Sequence, residues 1–500
     1  MRNRNNITSI GLAGLEGYKV EVETSISSGL PAFIIVGLPD SSVQESRERV
    51  RVVLKNIGFE FPLKRILVNL APADTRKEGP IYDLPIALGI LEASGQLEGI
   101  PKDCVFVGEL SLEGSLRPVR GMLPIALSAR KHGAKEIFVP KDSAAEAALV
   151  RGITVYPAEH VSEIVEHLQG INEIKRAGEY AAKEDEETYH DFSDVKGQPG
   201  MRRALEVAVS GAHNILLCGM AGSGKSMMAK RIPSILPPMS MDEMIESTAV
   251  HSIAGMTGKA APLLPHRPFR APHHSVSSAG IAGGGKSLRP GEMSLAHNGV
   301  LFLDEFPEFR REVMESLRQP IEDGRLTITR ASGSVTYPSD FMLVCAMNPC
   351  KCGWYGHPSG KCECSCDSVK NYRGRISGPI MDRIDIYVEA PPVDYEELTS
   401  KGENEPSSAI RERVMIAREV QLSRQGTVNA RMSHEMIEAH CGIDEESGKL
   451  MRAAYEKFSL SARAYNRILK VARTVADMAG SVDIGFAHLA EAIRYRNPHG

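Results

Sequence analysis

The sequence predicts an α/β protein of several domains: a parallel-sheet core, preceded by a domain of alternating strands and helices and followed by a helical lid. Three observations predict it. The 500 residues exceed what one hydrophobic core usually supports, so about three domains are expected. Ile215-Leu216-Leu217-Cys218, an apolar run of strand length, passes into Gly219-Met220-Ala221-Gly222-Ser223-Gly224-Lys225-Ser226 and then into a helix-compatible stretch from Met227. Val300-Leu301-Phe302-Leu303 is a second apolar run, ended by Asp304 and Glu305, as suits a buried parallel strand delivering acids to the carboxyl edge of a sheet.

Residues 1–170 are expected to form the first domain. Lys19–Glu23, Phe33–Val36 and Ile66–Leu70 read as strands, and Ser41 to Asn56 as a charged amphipathic helix. At Asn69–Asp74, Glu78–Leu88 and Gly108–Gly114 the segment resembles the proteolytic domain of Lon. The resemblance implies a serine nucleophile after Gly79-Pro80 and a lysine base after Gly121-Met122. Ile81 and Leu123 stand there, and neither can activate a carbonyl attack. The domain is expected to be proteolytically inactive and to serve packing, oligomerisation or a protein partner. Residues 171–193, with Lys183-Glu184-Asp185-Glu186-Glu187, read as a solvated acidic linker. Met201–Val209 has helical spacing and leads into the core, expected over 194–395.

The G-x-x-x-x-G-K-S run between strand and helix is a phosphate-binding loop. A flexible glycine turn would explain its glycines but not Lys-Ser at the required offset. Backbone N–H groups from Gly219 to Ser226 would turn onto the phosphates of ATP, helped by the helix N-terminus. Lys225 would reach the β and γ phosphates and Ser226 would ligate Mg²⁺. Asp304 would hold the Mg²⁺ water shell, and Glu305 would orient or deprotonate the attacking water. Phe341–Met347 reads as a further strand of the same sheet, and Asn348 after it as a γ-phosphate sensor.

Ser247 to Gly291 contains no Asp or Glu but holds Lys259, Arg267, Arg270, Lys286, Arg289 and four histidines. It reads as a basic, mobile insert, either a solvated loop or a nucleic-acid contact. Gly283-Gly284-Gly285-Lys286-Ser287 lacks a preceding apolar strand and is not taken as a second phosphate loop. Arg325–Arg330 and Ser334–Tyr337 flank Ala331-Ser332-Gly333 and predict a β-hairpin projecting Arg325 and Arg330, candidates for DNA contact. Five of the nine cysteines fall in residues 350–366. Cys350, Cys352, Cys362 and Cys364 form two C-x-C pairs able to bind one structural Zn²⁺. Cys366 overlaps the second pair, His357 is a weaker ligand candidate, and unpaired reduced thiols are the alternative. Residues 396–500 are expected to be the helical lid, including an amphipathic helix that follows Ser461.

Gly219–Ser226, Arg267–His274, Leu303–Phe306, Asn348-Pro349-Cys350 and Ile376–Asp385 together resemble the ComM/YifB-type magnesium-chelatase-like AAA+ ATPases over essentially the whole chain. The resemblance implies a hexameric ring related to MCM helicases, with an AAA+ core carrying a helix-2 insert. Its competence member is a DNA branch-migration helicase. It also implies an arginine finger at Arg383, reaching the neighbouring subunit's γ-phosphate, with Arg375 and Arg373 as alternatives, and a second sensor at Arg463. Cys366 departs from the four cysteines the family is expected to have.

Lys plus Arg (59) nearly balances Asp plus Glu (63), so no global field marks a nucleic-acid partner. No apolar run reaches transmembrane length and the first residues lack a signal-peptide core, so a cytoplasmic protein is expected. Two functions stay open: a motor acting on single-stranded or branched DNA, and an ATP-driven protein or metallocofactor remodeller. The D-x-S-x-S run that would favour the second is missing from this sequence.

Overall fold

The computed structural model describes residues 6–178, 189–257, 262–285, 288–330, 333–391 and 404–496. The chain forms two compact units. One comprises Met1–Glu184, Met241–Pro265 and Thr329–Tyr337, the other Asp185–Ser240, His266–Ile328 and Pro338–Gly500.

The first unit contains β1 (Asn6–Ala13), β2 (Glu16–Ser27), β3 (Ala32–Val36), β4 (Arg65–Ala71), β5 (Cys104–Phe106), β6 (Glu109–Leu110), β7 (Leu116–Arg117), β8 (Glu136–Pro140) and β9 (Thr154–Ala158). Seven of them make one mixed sheet in the order β3-β4-β2-β1-β5-β8-β9. Along β2, Val20 and Val22 are buried while Lys19, Glu21 and Glu23 keep contact with solvent, the period-two pattern of a strand with one covered face. The helix Ser41–Asn56 starts where Asp40 caps it, its carboxylate accepting from the Val43 N–H at 2.8 Å. Val43, Val50, Val53 and Leu54 then share its buried face. Leu123 is fully buried in the core and Ile81 packs against it, so the two positions that would need polar catalytic groups are filled by packing side chains.

Part of the expected basic insert is differently placed. Residues 247–254 are not loop: they finish the helix Met241–Ala254, which packs on the helix Met122–Lys131 of the same unit. The small side chains Ser247, Thr248, Ala249 and Ser252 are buried there, and Ser252 donates to Glu146 at 2.5 Å. Close helix approach needs small residues, and a charge count does not register them. Lys259, Lys286, Ser287 and the acidic run 183–187 lie outside the described residues.

The second unit contains β10 (Ile215–Gly219), β11 (Phe269–Arg270), β12 (Gly283–Gly284), β13 (Arg289–Pro290), β14 (Val300–Leu303), the start of β15 (Arg325–Arg330), the end of β16 (Gly333–Pro338), β17 (Met342–Met347) and β18 (Ile386–Ala390). β15 and β16 form the expected hairpin. The core sheet has the order β11-β14-β17-β10-β18, every pair parallel. Its strands are near-continuous apolar runs because both faces are covered. Asn214 stitches three of them at the far edge: its amide N–H donates to Asp385 at 2.9 Å, its Nδ2 to the Arg383 carbonyl at 3.1 Å, and its Oδ1 accepts from the Leu343 N–H at 2.9 Å.

The same unit carries the helices Ser407–Gln425, His434–His440, Glu445–Phe458, Ala462–Met478 and Phe486–Arg494. Ser461 caps the fourth, accepting from the Ala464 N–H at 3.2 Å. A buried Asp477 holds this bundle, accepting from Arg424 at 2.6 Å, Arg473 at 2.9 Å and Asn429 at 2.8 Å. Among the described residues, no helix is long and apolar enough to cross a membrane.

Candidate functional site

Parallel pairing brings the carboxyl ends of β10, β14 and β17 to one edge. Cys218 pairs with Met347 and Leu303 with Cys345, so the phosphate loop, Asp304 and Asn348 leave the sheet side by side. Gly222 and Gly224 have φ of 81° and 84°, which lets the loop turn back on itself without a Cβ penalty. The helices that follow are short, Lys225–Ala229 and Ile232–Ile235, with Pro233 inside the second.

Lys225 folds back over the loop. Its Nζ donates to the carbonyls of Gly219 at 2.7 Å and Met220 at 2.8 Å, and lies 3.3 Å from Asn348 Oδ1. Burial lowers its pKa from the usual lysine value. Ser226 Oγ donates to Asp304 Oδ2 at 2.6 Å. A hydroxyl and a carboxylate that close are a donor set for Mg²⁺, and the residues present fit that ion. Glu305 follows with φ of 52°, a left-handed conformation that costs a non-glycine residue on the order of 1–3 kcal/mol. Its carboxylate is half exposed and lies 3.1 Å from His274 Nδ1. His274 makes a T-shaped ring contact with Phe309, with centroids 6.5 Å apart.

The phosphate loop borders a cavity of about 380 Å³, large enough for a nucleotide. Met220, Ala221, Gly222, Ser223 and Gly224 of the loop line it, together with Asp194, Val195, Lys196, Gln198, Trp354 and His357.

Arg383 and Arg463 do not line this cavity. The Arg383 guanidinium is buried, 2.5 Å from Glu322, and donates to the Pro379 carbonyl at 2.6 Å. Glu322, Arg463, Arg431, Arg467 and Lys470 line a separate cavity of about 340 Å³. Asp385 also lines it. Burial works against its charge, yet Arg467, His213 and the Asn214 amide hold its carboxyl well below the usual carboxylate range. Of the two alternative fingers, Arg375 pairs with Glu308 at 2.7 Å and Arg373 donates to the Pro349 carbonyl at 3.1 Å.

Arg325 and Arg330 are exposed on β15, whose alternate residues Leu326 and Ile328 are buried. In the first unit Val335 of β16 seats against Gly14, where a Cβ would meet its Cγ1 at 2.2 Å, so the hairpin end rests on a glycine turn. Two insert cations are committed to the fold and are not free for a polyanion. Arg267 donates to the Pro237 and Asn298 carbonyls at 2.8 Å, and Arg270 makes a two-point pair with Glu292 at 2.7 and 2.8 Å.

Cys350, Cys352, Cys362 and Cys364 bring their sulfurs within 4.8 Å of one another. Three of the separations are 3.3, 3.6 and 3.8 Å. Zn–S bonds of about 2.3 Å at a tetrahedral centre set S···S near about 3.8 Å, so this donor set fits zinc. Cys366 lies outside the group, exposed at the start of the helix Cys366–Arg373, and His357 faces the nucleotide-sized cavity instead.

His274 and Trp354 received no role from the sequence. His274 follows β11, which pairs in parallel with β14, so the same edge logic that placed Glu305 could have found it. Trp354 had no such signal, because only the closing of the cysteine loop brings it over the cavity.

Comparison with known proteins agrees with this architecture. Residues 191–398 match the family described as magnesium chelatase, subunit ChlI; residues 22–143 match subunit ChlI of Mg-chelatase, and residues 404–496 its C-terminal region. The competence protein ComM of Haemophilus influenzae is 42% identical over 490 residues, covering 97% of this chain and 95% of that protein. YifB of Escherichia coli is 42% identical over 487 residues, with the same coverage. The Lon protease of Brevibacillus choshinensis is 27% identical over 176 residues, covering 32% of this chain and 22% of the protease. With its phosphate loop, parallel sheet and partial Lon likeness, the chain belongs to the ComM/YifB-type magnesium-chelatase-like family of AAA+ ATPases.

Proposed function

We propose that the protein is a ring-forming ATPase motor that remodels branched or single-stranded DNA. The observation that carries the ATPase part is the convergence of Lys225, Ser226, Asp304, Glu305 and Asn348 on one sheet edge. Lys225 and the loop N–H groups bind and orient the triphosphate. Ser226 and Asp304 hold Mg²⁺, which when bound neutralises charge on the phosphate oxygens. Glu305 positions the attacking water and accepts its proton, and His274 fixes the carboxylate between turnovers. Asn348 reads the γ-phosphate position.

The assembly is a homo-hexamer in which Arg383 acts across a subunit boundary. What supports this is that neither Arg383 nor Arg463 lines the cavity at its own phosphate loop: Arg383 pairs with Glu322, and Arg463 lines the second cavity together with Glu322, Arg431, Arg467 and Lys470. Arg383 would exchange Glu322 for a neighbour's γ-phosphate, and Arg463 would approach the same nucleotide.

The DNA part rests on the name of the competence relative and on the exposed Arg325 and Arg330. The protein acts in the cytoplasm, where recombination or DNA-uptake intermediates are found. The four cysteines hold a structural zinc that fixes the segment between Asn348 and Arg383. Fluorescence anisotropy on forked DNA tests the reading. Affinity should fall steeply with salt as counterions are released, and replacing Arg325 and Arg330 together should flatten that dependence. No binding at low salt would favour a protein or metallocofactor remodeller recruited through the Lon-like domain.

A further inference from the structure

The chain has one tryptophan, Trp354, and it lies two residues beyond Cys352 in the cysteine loop. The loop is pressed onto the phosphate loop. Gly353, with φ of 83°, sits where a Cβ would come 3.3 Å from Ala221 Cβ and 3.6 Å from the Ala221 amide nitrogen. A side chain there would be in tight contact with Ala221 and would need a small shift of one loop. Trp354 thereby joins the lining of the 380 Å³ cavity, which Val195, Lys196 and Gln198 also line.

Its ring is fixed from two further directions. His357 meets it edge-on, with centroids 5.1 Å apart and planes at 79°. Lys361 Nζ lies 5.1 Å from the ring centroid, a cation–π contact. A half-buried indole that lines a nucleotide-sized cavity and has such neighbours can serve as a stacking platform, because an aromatic face pairs with any base.

We infer that Trp354 stacks on the base of the bound nucleotide, and that the four-cysteine loop exists in part to carry it there. This rests on the phosphate loop binding ATP, and it assigns the cysteine loop a ligand-binding role besides a structural one. Cys350 and Cys352 lie on one side of Trp354 in the chain and Cys362 and Cys364 on the other, so drawing the four sulfurs together would fix where the ring meets the cavity.

The test uses the full-length protein and two probes, ATPγS and inorganic tripolyphosphate, each with Mg²⁺ and each measured by calorimetry. Tripolyphosphate has the phosphates without the base. W354A should weaken ATPγS binding about tenfold, the worth of stacking one base, and leave tripolyphosphate unchanged. W354F should recover most of the loss. ATPγS should also change the emission of the single tryptophan, whereas tripolyphosphate should not. C362S/C364S should weaken ATPγS binding at least as much as W354A does.

Equal loss for both probes in W354A would mean a purely structural role and would overturn the inference. So would unchanged ATPγS affinity in W354A with unaltered emission in the wild type. Failure of the wild type to bind either probe would remove the nucleotide site itself, a different result from a site that binds but ignores Trp354.

Discussion

Replacing Lys225 by methionine keeps the length of the side chain and removes its charge. Before nucleotide arrives, the ammonium is tied to the Gly219 and Met220 carbonyls, in a place where burial already disfavours its charge. With nucleotide bound, an ammonium about 4 Å from a phosphate charge gains about 4 kcal/mol at an effective dielectric of about 20. Against this stand two carbonyl hydrogen bonds at about 1 kcal/mol each. The net loss is about 2 kcal/mol if both bonds must break and about 4 kcal/mol if neither does. The dissociation constant for Mg·ATPγS should therefore rise between about thirtyfold and about a thousandfold. Folding should hardly change, because losing the two bonds is offset by no longer burying a charge, so Tm should stay within about 3 °C. Calorimetry gives the first quantity and a thermal melt the second. A dissociation constant within about threefold of wild type, in a protein that melts normally, would refute the placement of Lys225 at the phosphates.

Glu305→Gln should bind ATP as the wild type does and lose about 10² to 10⁴ in turnover, the usual worth of a positioned base, in a steady-state phosphate-release assay; undiminished hydrolysis would sink the assignment. Arg383→Ala should keep ATP affinity and lose about 10³ in hydrolysis, since its partner Glu322 is 43% exposed and is solvated once freed. Full activity from a demonstrably monomeric preparation would contradict the shared site. Asp385, whose folded-state pKa is depressed, contributes stability that is present above its unfolded value of about 3.9 and is lost as the pH falls below it. Asp385→Asn should lower the urea midpoint at pH 7 and narrow its difference from wild type at pH 3; an equal deficit at both pH values would contradict this linkage.

The parts of the fold that could be read from the sequence are those written in local pattern. The helix Ser41–Asn56, the strands β10, β14 and β17 and the β15–β16 hairpin follow from apolar period and turn residues, and Ser461 marks its helix by the capping rule. The phosphate loop, Asp304 and Asn348 were legible because a parallel sheet delivers strand ends to one edge. What stayed hidden depends on partners far along the chain. Arg267 and Arg270 look like free cations until Asn298 and Glu292 come beside them. The buried face of Met241–Ala254 has little apolar contrast, since Ser247, Thr248 and Ser252 are polar by type and inside by size. Trp354 lines the cavity at the phosphate loop from within a loop whose four cysteine sulfurs, spread over residues 350–364, come together only in the fold.

The measurement that bears most directly on the proposed motor is steady-state ATP hydrolysis by the wild type and by the Arg325→Ala/Arg330→Ala protein, with and without forked DNA at low salt. The account predicts Mg²⁺-dependent hydrolysis that forked DNA raises several-fold in the wild type, with basal turnover preserved and the DNA response reduced in the double variant. Hydrolysis indifferent to DNA at every salt concentration would contradict the DNA motor, and no hydrolysis at all by an assembled ring would contradict the ATPase itself.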